Sequence, residues 1–206
     1  MSNSKAKAVL AFDVETTGSI AYRTKDGKKT WMVAAGFQLV AGGMSVDRLK
    51  VVFEMPEWGV FEPDCKKEFW DKPAQKKQLD KYLIEGKPAV SNMQLVHNFI
   101  RNAEKKYELL IVINSTFDAE WIQLYLRDYG PPECCGIEKT AGGAYTGFPY
   151  VTDDQYRGWL KTTATWGLEQ KLAEKMPEFK HFKSADHDAL EIAMNYWRFL
   201  KEQKLI

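Results

Sequence analysis

Apolar runs of two kinds divide this chain. Continuous or alternating stretches crowd its first quarter, and helical spacing takes over afterwards. Ala8-Val9-Leu10-Ala11-Phe12 reads as a buried strand, and in its continuation, Asp13-Val14-Glu15, polar and apolar residues alternate. A strand turns successive side chains to opposite faces, so Asp13 and Glu15 share one face at its C-terminal end. Lys25-Asp26-Gly27-Lys28 is a turn signal, residues 31–40 form a largely apolar second strand, and Gly42-Gly43 turns the chain into a third over 49–53. Short turns between three strands predict an antiparallel meander.

Beyond it the periodicity becomes helical. Residues 63–83 form a polar helical stretch with apolar points at Phe69, Trp70, Leu79 and Leu83 and a break at Pro73. Ser91 is the expected N-cap of a better helix, which carries Leu95, Val96, Phe99, Ile100 and Ala103 on one face. Leu109-Leu110-Ile111-Val112-Ile113 predicts a central strand buried on both faces, leading into Asn114-Ser115-Thr116-Phe117-Asp118. A helix through Trp121, Leu124 and Tyr125 follows and ends near Gly130-Pro131-Pro132. Residues 134–158, rich in Gly, Thr and aromatics, read as loop with at most short strands. Trp166-Gly167-Leu168 opens a helix that closes before Pro177, and the last helix, residues 184–201, buries Ala189, Ile192, Ala193, Tyr196, Trp197 and Leu200. A three-strand antiparallel meander followed by helix–strand–helix units that add parallel strands is the order of a ribonuclease H-like α/β fold.

Composition narrows the setting. The chain has 206 residues, 45% hydrophobic and 28% charged, which suits one domain over residues 1–206 with a sizeable core. There are no internal repeats and no low-complexity tract. No run approaches spanning length and no apolar segment follows the polar N-terminus, so no membrane association is expected and a cytoplasmic location is. Cys65, Cys134 and Cys135 lack zinc-site spacing and read as reduced bystander thiols. A net charge of +1 argues against a generic coat for polyanions. It leaves room for a nucleic-acid enzyme in which divalent ions carry the positive charge.

The chemistry-bearing residues are acidic and widely spaced. A lone Asp-x-Glu is usually a solvated pair, and Asp118 by itself is an ordinary helix-start acid favoured by the dipole. Together, after two apolar strands and with a further acidic run near residue 188, they point to a magnesium or manganese site. Asn114 can tie the strand end in place through its amide.

The strings FDVETTG, INSTFDAEW and HDALEIA resemble the three motifs of the histidine-bearing (DEDDh) branch of the DEDD 3'–5' exonuclease superfamily. The resemblance runs from about Ala8 to Leu200. It implies that Asp13, Glu15, Asp118 and one carboxylate of the third motif hold two Mg²⁺ or Mn²⁺ ions, and that a histidine acts as general base. It also implies that Thr16, Thr17 and Asn114 serve the 3'-terminal nucleotide of a single-stranded or 3'-ended DNA or RNA, from which nucleoside 5'-monophosphates are released. The third motif departs from the family. Histidine is followed there by aspartate five residues on, and here that position is Ile192. Asp188 is the first choice for the fourth carboxylate, with Glu191 and Asp186 as rivals. His187 is preferred to His181 as the base because it better keeps the family's interval from the helix of Leu168 and Leu172; a histidine suits the role because imidazole titrates near neutrality. His97 reads as structural. Phe148, Tyr150, Trp31 and Trp58 are the aromatics that could stack on bases. Two other readings compete: a RuvC-like structure-specific endonuclease, suggested by Asp-Ala-Leu-Glu-Ile-Ala, and a catalytically silent relative that binds nucleic acid or protein, suggested by Ile192.

Overall fold

The computed structural model of the chain describes residues 5–113, 116–131, 150–152, 184–202 and 204. Strand β1 (Ala6–Thr16) pairs antiparallel with β2 (Met32–Ala41), and β2 pairs antiparallel with β3 (Met44–Val52). On its other edge β1 takes up β4 (Tyr107–Ile113) in parallel, and β4 takes up the short β5 (Tyr150–Thr152), also in parallel. The resulting order is β3-β2-β1-β4-β5, the predicted meander extended by parallel strands. Gly42 and Gly43, both at positive φ, make the two-residue turn between Ala41 and Met44 that matches strand twist. The third strand therefore starts at Met44, earlier than the apolar run from Leu49 suggested, because residues 44–50 are mostly exposed and carry no burial signal.

Alternation along β1 divides the core. Ala8, Leu10, Phe12 and Val14 face α3 (Ala89–Lys106) and α4 (Thr116–Tyr129), meeting Met93, Val96, Ile100, Ile122 and Leu126. Val9 and Ala11 face α5 (Ala185–Glu202), meeting Ala193, Tyr196 and Leu200. Each fully buried large side chain of these layers contributes about 1.5–3 kcal/mol. A third cluster joins Trp31 and Val33 to Trp70, Leu79 and Tyr82. It anchors a short helical turn α1 (Pro63–Cys65), the π-turn Lys66–Trp70 that continues it, and α2 (Pro73–Glu85).

Several helix details differ from expectation. The expected break at Pro73 is present: the first helical segment ends at Trp70, and Pro73 opens α2, where a first-turn proline loses no helical hydrogen bond. Tyr82 is buried and Leu83 is 42% exposed, which rotates the α2 face by one residue. Helix α3 begins at Ala89 with Pro88 at its N-cap, so Ser91 lies inside the helix. Its buried stripe is Met93, Val96, Ile100 and Ala103, and Leu95 is exposed. The expected helix near Leu168 lies outside the described residues. None of the described helices is long and apolar enough to cross a membrane.

Candidate metal centre

On the α5 face of β1, Asp13 and Glu15 are the next positions after Val9 and Ala11. The sheet carries Asp13 beside Gly36 of β2 and Gly36 beside Lys50 of β3, a row of three residues across three strands. The first turn of α5 lies on this row. A Cβ at Gly36 would fall 2.1 Å from the backbone nitrogen of Asp186 and 2.2 Å from the carbonyl carbon of Ala185, so only glycine lets the helix come this close. On either side of the contact the helix start is fastened. Gln38 Nε2 donates to the Asp186 carbonyl at 3.1 Å, and Lys50 Nζ pairs with Asp186 Oδ1 at 2.9 Å. Burial works against the charge of Lys50, but bonds to Tyr82 and Asp186 outweigh it and raise its pKa; the same lysine holds the Asp186 carboxyl below its usual range. The Ser184 carbonyl accepts the N–H groups of His187 at 2.8 Å and Asp188 at 3.1 Å, which fixes the first turn.

That docking decides which acid of the third motif meets the first. Asp13, Glu15 and Asp188 each offer a carboxylate oxygen within 4.8 Å of the others. Asp186 is turned to Lys50, and Glu191 lies outside the group. Ile192 packs against the cluster of Val9, Ala11 and Val40, so the position where the family has its aspartate is spent on core.

Asp118 arrives from the first turn of α4, just beyond the end of β4. It is 4% exposed, and its Oδ1 accepts the Val14 N–H at 3.3 Å. Burial first, then the charges of Asp118, Glu15 and Asp188, push the Asp13 carboxyl well above the usual carboxylate range. Asp13, Glu15 and Asp188, with Asp118 outside that group but near enough for its charge to act on Asp13, fit a hard divalent cation, for which oxygen donors are the natural shell. The donor set has no thiolate: Cys65, with its Sγ 3.7 Å from the Thr16 carbonyl, is pushed up to about 11 by burial and by Glu62 and Glu15.

The remaining predicted residues are placed as follows. His187 stands on the first turn of α5 with its side chain exposed. Thr16 is held through its carbonyl, which accepts Trp70 Nε1 at 2.8 Å. Thr17 is fully buried: its N–H donates to the Trp31 carbonyl at 3.0 Å, its carbonyl accepts the Glu62 N–H at 2.8 Å, and its hydroxyl donates to the Val60 carbonyl at 2.9 Å. A nucleotide contact through the Thr17 backbone would have to displace one of these. Trp31 has no exposed surface and packs edge-on against Phe61 at 5.0 Å, so it is a core residue and not a stacking platform. Trp58 is partly exposed. Asn114, His181 and Phe148 lie outside the described residues, and of Tyr150 only the backbone of β5 is described.

Sequence reasoning overlooked Gly36, Gln38 and Lys50, which seat α5, and Phe117, 37% exposed directly before Asp118. A lone glycine inside an apolar strand was the available signal for the first, because such a residue marks close backbone approach.

The architecture has solved counterparts. The nuclease domain of 3'hExo, a DEDDh family member bound to rAMP, superposes over 96% of this chain and 93% of its own with a TM-score of 0.58 at 10% identity. The chain has the fold of a DEDDh 3' exonuclease domain. A 3'-exonuclease structure concerned with 3'-end specific recognition of a histone mRNA stem-loop matches over 97% of this chain and 84% of its own, with a TM-score of 0.61 and 11% identity. A full-length 3'-exonuclease matches with a TM-score of 0.58 at 13% identity. No protein-family model matches the sequence, and no curated protein is similar to it at the sequence level.

Proposed function

We propose that this chain is a metal-dependent 3'–5' exonuclease that releases nucleoside 5'-monophosphates from the 3' ends of DNA or RNA. The observation that carries the reading is the meeting of Asp13, Glu15 and Asp188 within 4.8 Å, on a fold shared with DEDDh nucleases. Asp13, Glu15, Asp118 and Asp188 would hold two Mg²⁺ or Mn²⁺ ions. When bound, such ions neutralise charge on the scissile phosphate and stabilise the leaving oxygen. Asp118 is oriented through the Val14 N–H, which its Oδ1 accepts. His187, exposed beside Asp188, takes the proton from the attacking water. The exposed ring of Phe117, next in sequence to Asp118, offers a face on which the terminal base can stack. The rAMP bound to 3'hExo is a precedent for a nucleoside monophosphate on this fold.

The test uses 5'-labelled single-stranded DNA and RNA oligomers with Mg²⁺ or Mn²⁺, then with chelator. A ladder shortening from the 3' end, 5'-monophosphate products and loss of both in chelator are expected. Junction nicking without mononucleotides would favour the RuvC-like reading, and no turnover with either metal would favour a silent binder.

Within that assay, Asp188→Asn should nearly abolish turnover, Glu191→Gln should stay within a few-fold of wild type, and His187→Ala should lose about 10²–10⁴-fold. The Asp188 assignment is overturned if the first two outcomes exchange.

A further inference from the structure

A cavity of about 130 Å³ lies between the excursion that joins β1 to β2 and the C-terminal half of α4, apart from the acidic cluster. Its walls combine cations with aromatic rings. The excursion is a small hairpin: Arg23 and Lys29 form an antiparallel bridge across the turn at Gly27, and both line the cavity. Arg23 Nη1 is held by the carbonyls of Ile20 at 2.8 Å and Tyr22 at 2.7 Å. Lys29 lies over the Trp58 ring at 4.4 Å, and its backbone is tied to Trp58 and Val60 at 3.1 and 3.0 Å. Neither cation has a carboxylate partner among the described residues. The single acid on the walls, Asp128, is taken by Arg127 at 2.7 Å. Between positions 23 and 29 the chain places four cations against one carboxylate.

The rings point the same way. Trp58, which is partly exposed, and Tyr129 line the cavity from different segments of the chain, and Trp121 and Tyr125 of α4 add two more rings. Cations beside flat apolar rings match a nucleotide: phosphate for the first, base for the second.

We propose that this cavity takes the base of one nucleotide among its aromatic walls, with the attached phosphate outside it against Arg23 and Lys29. The inference deepens the nuclease reading and rests on it for the strand as source. Trp121 to Tyr129 share α4 with Asp118, and the middle of the cavity wall lies about 10 Å along the helix axis from that carboxylate. At ~3.4 Å per stacked nucleotide a strand covers this distance in about three units. The cavity is then an upstream hold on a strand whose 3' end lies at the acids.

Binding is measured in chelator, where no hydrolysis is needed. Fluorescence anisotropy follows a labelled single-stranded oligomer, and competition by free nucleoside 5'-monophosphate gives the second arm. For the double variant Arg23→Ala, Lys29→Ala, weaker oligomer binding is expected, with the slope of log K against log salt reduced by about 0.7 per cation removed. Trp58→Leu, its folding checked by melting, should weaken binding about five-fold or more. If competition by the monophosphate is also weakened, the site takes free nucleotide as well as strand. If it is not, the site reads the strand alone. Unchanged affinity and salt slope in both arms overturn the proposal, as does an equal loss in the control Lys76→Ala, Lys81→Ala, whose lysines lie elsewhere on α2. A protein that binds in this way but never hydrolyses would sink the nuclease reading and leave this one standing.

Discussion

Asp13→Asn is expected to abolish hydrolysis while raising the melting temperature of the metal-free protein. Asparagine keeps the shape of the side chain and removes the charge that Asp118, Glu15 and Asp188 oppose. Because burial and those neighbours raise the folded-state pKa of Asp13, its contribution to stability is fully present below the unfolded value of about 3.9. It is lost as pH rises through the elevated folded value, so near neutrality the apo protein carries a penalty that the variant lacks. Relief of a functional strain of this kind is commonly worth about 0.5–2 kcal/mol. In a domain of this size that is about 2–4 °C per kcal/mol. Scanning fluorimetry in chelator across a pH series should show the variant melting higher near neutrality, with the difference closing toward acid. Millimolar Mg²⁺ or Mn²⁺ should raise the wild type and do little for the variant, since ions that bind only the assembled site stabilise it by mass action. Activity within a few-fold of wild type, or a lower apo melting point, would count against the site.

Gly36→Ala should separate α5 from the sheet at the point where the centre is assembled. The added Cβ cannot be absorbed by a side-chain rotation, because the atoms it meets at 2.1, 2.2 and 2.4 Å are all backbone. Either the helix start lifts or β2 bends, and overpacking of this sort costs about 1–3 kcal/mol. Asp188 travels with the helix, so metal-dependent stabilisation and turnover should both be lost while circular dichroism still reports a folded protein. Ile100→Val, on the opposite face of the sheet, is the matched control: it costs about 0.5–1.5 kcal/mol and should keep its response to metal. If Gly36→Ala keeps a full metal-induced shift in melting temperature, the glycine does not seat the helix.

The sheet was legible because β1, β2 and β4 are apolar for reasons any pattern detects: they are covered on both faces. β3 was only half legible, since its outer positions are exposed and its start is set by turn geometry. Helix faces slipped where an amphipathic residue took the buried place. Tyr82 for Leu83 and Met93 for Leu95 are cases in which the tertiary contact, not local hydropathy, chose the stripe. The paired acids of β1 could be read from alternation alone. The choice among Asp186, Asp188 and Glu191 could not, because it turns on how far α5 sinks onto the sheet, and that depth is set by Gly36 and Lys50 on two other strands. The cations at 23 and 29 were visible as residues, but their pairing across a turn beside the rings of α4 appears only in three dimensions.

The seating of α5 also bears on when the acidic residues meet. Gln38 and Asp186, which hold the helix start, are 148 positions apart in sequence. Loop closure over such a span is slow relative to hairpin formation, so the β1–β2–β3 meander can form well before α5 docks. During synthesis the paired acids of β1 emerge long before the helix that supplies Asp188. The nascent chain thus carries a carboxylate pair on a sheet, and the group of Asp13, Glu15 and Asp188 forms only when the last described helix settles.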